Sequence, residues 1–244
     1  MSKLTGSAAL TFLYVTIGRG HPFYLDGIIE ALVRRGDIGL VRRQVEVFEI
    51  SRGWSGLAWR VSRWLYRVAP SNRLIGMAYH ALRHSNDYNR ESPSLALLGR
   101  DIRRLSATES GPVIVSHPVM VGILRGRQGL IYQHGELAVP SESLVRGATF
   151  VLVPSQEQAD QFVKAGYLSE QVSITGLCIE PAIVKQAADA YAARKLRLST
   201  GRPLTGAYFT SGAEPRPHIH AISRMAISAA RAGHRAYIFA QQHG

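Results

Sequence analysis

Apolar positions fall into short, nearly continuous runs separated by segments of helical period. The runs are Leu10–Thr16, Gln44–Ile50, Pro112–Ser116, Leu130–Gln133, Thr149–Val153, Val172–Thr175, Gly206–Thr210 and Arg235–Ala240. Unbroken Val, Ile, Leu, Phe and Tyr runs predict parallel strands covered on both faces. Strands that alternate with helices predict an α/β, doubly wound sheet of Rossmann-like kind.

Three helices carry clear punctuation. The first has Pro22 near its start, places Leu25, Ile28, Ile29, Leu32 and Val33 on one face, and ends at Gly36. The second follows Ser155, with Gln158 three residues on in capping-box position; it buries Ala159, Phe162 and Val163 and ends at Gly166. The third starts near Pro217, buries Ile219, Ile222, Met225, Ala226 and Ala229, and stops at Gly233. Between the second and third, Lys185–Leu198 is rich in Ala, Lys and Arg and runs into Ser199-Thr200-Gly201-Arg202-Pro203. That composition predicts a connecting helix and a linker. The expected organisation is one complete domain over residues 1–181, the connection over 182–203, and the start of a second domain over 204–244.

A fourth stretch has two readings. At helical spacing Trp54, Leu57, Ala58, Val61, Trp64, Leu65 and Val68 share a face, Arg60, Arg63 and Arg67 lie on another, and Trp59 and Tyr66 flank the stripe. An apolar stripe usually packs on the core. Aromatic and basic residues on one amphipathic helix also suit a membrane surface.

Packing on the core is the favoured reading, and charge bears on the partner. The 244-residue chain has 29 basic and 17 acidic residues, a net charge of +12. Ten arginines against three acidic residues lie between Ala31 and Arg83. Such an excess suits an anionic partner: nucleotide phosphates, acidic headgroups or nucleic acid. No nucleic-acid-binding module is recognisable, so nucleic acid is not the expected partner. No apolar run approaches the roughly 18–20 residues that span a bilayer. The Leu10–Ile17 run is short, follows a single Lys3, and leads into a poor cleavage site, Gly18-Arg19-Gly20-His21-Pro22. It reads as a buried first strand, and the expected location is cytoplasmic, at most peripheral on the inner face of a membrane. The single cysteine, Cys178, excludes an internal disulfide and a multi-cysteine metal site, and reads as a small buried hydrophobe.

The sharpest motif is Thr16-Ile17-Gly18-Arg19-Gly20-His21-Pro22, between a strand and a helix. Glycines let the backbone turn tightly and approach a ligand, and the helix start offers free N–H groups. Open α/β sheets bind ligands at such strand ends. His21 at that mouth either caps the helix or removes a proton from a hydroxyl. A dinucleotide fingerprint needs a third glycine where Phe23 stands, so Glu49 as a ribose ligand finds weak support. Ser116-His117-Pro118 and Gln133-His134-Gly135-Glu136 follow two further strands and open on the same edge; they either line the site or serve as turn residues. The three histidines have no recognised metal-ligand spacing, so neither metal nor other cofactor is expected.

The Gly18-Arg19-Gly20-His21 loop resembles the glycine-rich loop and histidine of inverting GT-B glycosyltransferases. The nearest resemblance is to monogalactosyldiacylglycerol synthases and the N-acetylglucosaminyltransferase of peptidoglycan lipid intermediates. Val151-Leu152-Val153-Pro154-Ser155, Lys164-Ala165-Gly166-Tyr167 and Val172-Ser173-Ile174-Thr175-Gly176-Leu177 resemble this group in the same order and spacing. The resemblance covers roughly residues 10–36 and 110–240. It implies a GT-B-like fold, a nucleotide-sugar donor, and an acceptor, lipid-linked or soluble, held on the first domain. It implies that His21 is the base, with Gly18, Gly20, His117, His134 and Glu136 on the acceptor side. On the donor side it implies Thr210, Ser211, Gly212 and Glu214, in a loop that departs from the family pattern by its single glycine and by Pro215 and Pro217. Two rivals share the fold. One is a non-catalytic half of a split transferase, working with a second half-enzyme chain; the other is a nucleotide-sugar epimerase.

Overall fold

The computed structural model describes residues 9–17, 20–69, 72, 74–77, 79, 81, 87–210 and 216–240, with Gly20, His21 and Arg216 described by backbone alone. The chain forms two compact units, Met1–Ser62 with His84–Pro181, and Arg63–Arg83 with Ala182–Gly244. Among the described residues no helix is long and apolar enough to cross a membrane.

The first unit is a six-stranded, wholly parallel sheet of β1 (Leu10–Tyr14), β2 (Val41–Glu46), β3 (Val113–Val115), β4 (Leu130–Gln133), β5 (Phe150–Val153) and β6 (Val172–Ile174). The order is β2-β1-β3-β4-β5-β6. The chain moves outward from β1 to β2, then crosses back to β3 and proceeds the other way. The reversal between β1 and β3 is the topological switch point of a doubly wound, Rossmann-like sheet.

Strand alternation splits the core in two. Phe12, Tyr14 and Ile114 cluster with Leu25 of α1 (Gly20–Arg34). Leu13, Val15, Val113 and Val115 cluster on the other face with Leu95 and Ile102 of α4 (Pro93–Thr108), with α5 (Pro118–Ile123), and with Ala159 and Phe162 of α6 (Gln156–Lys164). On α1, Leu25, Ile28, Ile29 and Leu32 pack as their spacing predicts, whereas Val33 is 47% exposed. The capping box expected at Ser155 does not form. Ser155 Oγ donates to Gln158 Oε1, and Gln158 Nε2 donates to Leu137 O at 2.7 Å.

The run Gln44–Ile50 is not one strand. Pairing ends at Glu46, and Val47–Ile50 forms a helical turn, α2. The Glu46 carboxylate accepts from Phe48 N at 3.4 Å and so caps that turn. Val45, Val47, Phe48 and Ile50 read as apolar in either geometry, and periodicity over so few residues does not separate a strand from a turn of helix.

The helix α3 (Gly53–Val68) faces the opposite way from a core helix. The boundary between the two units falls within it, after Ser62. Its buried residues are Ser55, Gly56 and Trp59. Trp59 is 1% exposed, donates from Nε1 to Leu98 O at 3.0 Å, and meets Phe48 edge-on at 6.3 Å. Ser55 Oγ donates to the same carbonyl at 3.2 Å. A Cβ on Gly56 would lie 2.5 Å from Ser51 O, so only glycine allows this approach. Four residues of the predicted apolar stripe, Trp54, Leu57, Val61 and Trp64, are exposed, Trp54 to 71% and Trp64 to 53%, while Ala58, Leu65 and Val68 are half-buried.

In the second unit β7 (Thr205–Phe209) and β8 (Arg235–Phe239) pair in parallel, joined through α8 (Arg216–Arg231). Ile222 and Ala226 of α8 are buried, but Met225 is 60% exposed, contrary to its spacing, and Ile219 reaches 36%. The helix α7 (Pro181–Ser199) buries no residue. Exposed loops, such as the one that follows this helix, are where proteases nick first. Trypsin is therefore expected to cut first between Lys185 and Arg202, leaving a resistant fragment of the preceding residues. Early cuts between Val113 and Ile174, read by mass spectrometry, would contradict this.

Candidate functional site at the carboxyl edge of the sheet

The strand ends that carry polar residues lie on one edge of the first unit. After β1 the chain passes through Thr16 and Ile17, and α1 begins at Gly20 with His21 as its second residue. Gly18 and Arg19 lie outside the described residues, and of His21 only the backbone is described. The backbone places the start of α1 directly after the carboxyl end of β1, beside the switch point.

The neighbouring strand end secures this turn. Thr16 N donates to Glu46 Oε1 at 3.4 Å, so the carboxylate that caps α2 also ties β1 to β2. Burial pushes the Glu46 carboxyl up, against the two N–H groups that favour its charged form.

A buried polar row lies on the α1 face. The registers pair Leu13 with Val115 and Val115 with Tyr132. One residue further on they align Tyr14, Ser116 and Gln133. Tyr14 donates its hydroxyl to Asp26 Oδ1 on α1 at 3.0 Å. Burial first, and then the Asp26 charge, raises its phenol well above the ordinary value. Ser116 is 3% exposed and Gln133 is fully buried. Both polar atoms of the Gln133 amide are without a hydrogen-bond partner among the described residues. An unserved buried amide is costly, and such groups concentrate at functional positions or beside an ordered water.

Tyr24 and Gly135 meet at this edge, with Glu136 and Cys178 within electrostatic reach of the Tyr24 phenol. A Cβ on Gly135 would lie 2.4 Å from the Tyr24 ring, so the ring rests directly on the glycine. Burial raises the Tyr24 phenol, and the nearby Glu136 charge and Cys178 raise it further. Cys178 is half-buried; a Cβ on Gly27 of α1 would be 3.4 Å from its Cβ, and burial pushes its thiol up. Sequence reasoning did not single out Tyr24. Its one signal is an aromatic residue a single helical turn beyond His21.

The other predicted positions separate. His117 is the N-cap of α5, and its Nδ1 accepts from Val119 N at 3.2 Å. His134 is 3% exposed, with ring centroids 5.3 Å from Phe162 and 6.0 Å from Tyr132, and its Nδ1 is 3.4 Å from the Tyr132 hydroxyl. Alternation along the strand carries His134 to the Tyr132 face, opposite Gln133, where α6 covers it. Glu136 stays half-exposed next to Tyr24. In the second unit Thr210 follows β7, with its N–H and its hydroxyl both donating to Phe239 O, at 3.0 and 3.2 Å. Ser211, Gly212 and Glu214 lie outside the described residues.

No protein-family model, curated protein or solved structure shows significant similarity to the chain.

Proposed function

We propose that the protein is an inverting glycosyltransferase of the GT-B kind, moving a sugar from a nucleotide-sugar to an acceptor hydroxyl. The observation that carries this reading is the position of His21, second residue of α1, beside the switch point of a doubly wound parallel sheet. That is where open α/β sheets hold their ligands, and the motif around it resembles that of the inverting transferases. The buried polar row and the Tyr24–Glu136 pair give further support, since a sugar or other hydroxylated acceptor needs polar partners in a largely apolar surround.

In this reading the acceptor lies on the first unit and His21 takes the proton from its hydroxyl. The oxygen attacks the anomeric carbon from the face opposite the leaving group. The bond to the diphosphate breaks, and the nucleoside diphosphate departs with the electron pair. Ser211 and Gly212 supply hydroxyl and backbone donors for that diphosphate. Glu136 and Tyr24 orient the acceptor, while His117 and His134 act through the cap and the aromatic core that hold the edge in place.

The direct test supplies a panel of nucleotide-sugars with and without hydroxylated acceptors. The expected result is acceptor-dependent release of nucleoside diphosphate, and a product whose anomeric configuration, read by NMR, is inverted. Release that ignores the acceptor, retained configuration, or epimerised sugar formed without any acceptor would overturn the proposal.

A further inference from the structure

We infer that the outer face of α3 docks on an anionic lipid bilayer. The inference stands on this helix alone and does not depend on glycosyl transfer. Trp54, Leu57, Val61 and Trp64 are spaced three, four and three residues apart, which sets them in one stripe along the helix. They are 71%, 42%, 45% and 53% exposed. The helix is held to the protein by its other side, through Ser55, Gly56 and Trp59. An ordinary surface helix turns its apolar stripe inward. Here two tryptophans, a leucine and a valine face out, and Arg60 and Arg67 are exposed along the border of the stripe.

Charge and chemistry select the occupant. Tryptophan settles at the membrane–water interface, and arginine beside it attracts anionic headgroups. A second copy of this chain would bring the same arginines against themselves within a segment of ten arginines and three acidic residues. Like charges facing each other oppose that contact. An acidic bilayer instead complements the arginines and takes up the apolar stripe together, with the face buried roughly 5–10 Å into the headgroup boundary.

All three tryptophans of the protein, Trp54, Trp59 and Trp64, lie on α3, so intrinsic fluorescence reports this helix alone. The test is sedimentation with phosphatidylcholine vesicles, with or without phosphatidylglycerol, at low and high salt. The protein is expected to bind the anionic vesicles preferentially and to come off as salt rises. On binding, its emission should shift to the blue and be quenched by brominated lipid. A W54F/W64F variant, which retains only Trp59, should show no shift, because that indole is already shielded. R60Q/R67Q should weaken binding on the order of 25-fold, about fivefold for each arginine, with the circular dichroism spectrum unchanged. W54A/W64A should weaken binding as well while the arginines remain. The inference is overturned if anionic vesicles are not preferred at low salt, or if R60Q/R67Q binds like the parent. It is equally overturned if the protein self-associates in sedimentation equilibrium and W54A/W64A abolishes that association, because the occupant is then a second copy.

Discussion

Replacing His21 by Ala is expected to lower the rate of sugar transfer by a factor of roughly 10² to 10⁴, the usual contribution of a positioned general base. The expectation follows from where the backbone sets this residue, at the first turn of α1 beyond the carboxyl end of β1. The fold should survive the change. The packing of α1 on the sheet runs through Leu25, Ile28, Ile29 and Leu32, a turn or more away. The measurement pairs steady-state transfer with a thermal melt. A large loss of turnover at an unchanged melting temperature supports the base. Turnover held within a factor of about two, together with a clearly lower melting temperature, would make His21 a helix cap and move the chemistry elsewhere.

Strands were the legible part of the fold. Six of the eight runs, from Pro112 onward, become β3 to β8 within a residue at either end, and the first becomes β1 two residues short of its predicted end. A covered parallel strand needs apolar residues on both faces and so leaves such a run, although the helical turn inside Gln44–Ile50 leaves one as well. Faces were less legible than elements. Spacing alone sets Val33 and Met225 inward, yet both are exposed, because a pattern describes one helix and not what lies against it. The site shows the same limit. The glycine-rich loop marks the strand end, and Gln133 to Glu136 mark another, but which of these side chains share a surface depends on alternation and on the covering helix. His134 and Gln133 are neighbours in sequence and lie on opposite faces of the sheet. Tyr24 reaches the edge only because Gly135 has no Cβ to obstruct its ring, a pairing across 111 positions that no local pattern encodes.

Trp59→Ala and Trp54→Ala should differ sharply, although both remove an indole from the same helix. Trp59 is 1% exposed, packs in the larger core cluster with Phe48 against it, and bonds to Leu98 O. Its truncation removes a large buried side chain and leaves a cavity that the sheet and α4 cannot close, at about 3–5 kcal/mol. The hydrogen bond contributes little to that loss, since Ser55 Oγ also donates to Leu98 O and keeps the carbonyl served. For a unit of this size the loss corresponds to a melting temperature lower by roughly 6–20 °C. Trp54 is 71% exposed, and surface changes of that kind usually stay within about 0.5 kcal/mol. Urea titration of the two variants under one set of conditions decides the matter, because a common slope allows their midpoints to be compared directly. If Trp54→Ala destabilises as much as Trp59→Ala, the stripe of α3 packs on the core and its outer face is not free to meet a bilayer. If only Trp59→Ala does so, the helix is anchored by one aromatic residue and presents the others outward.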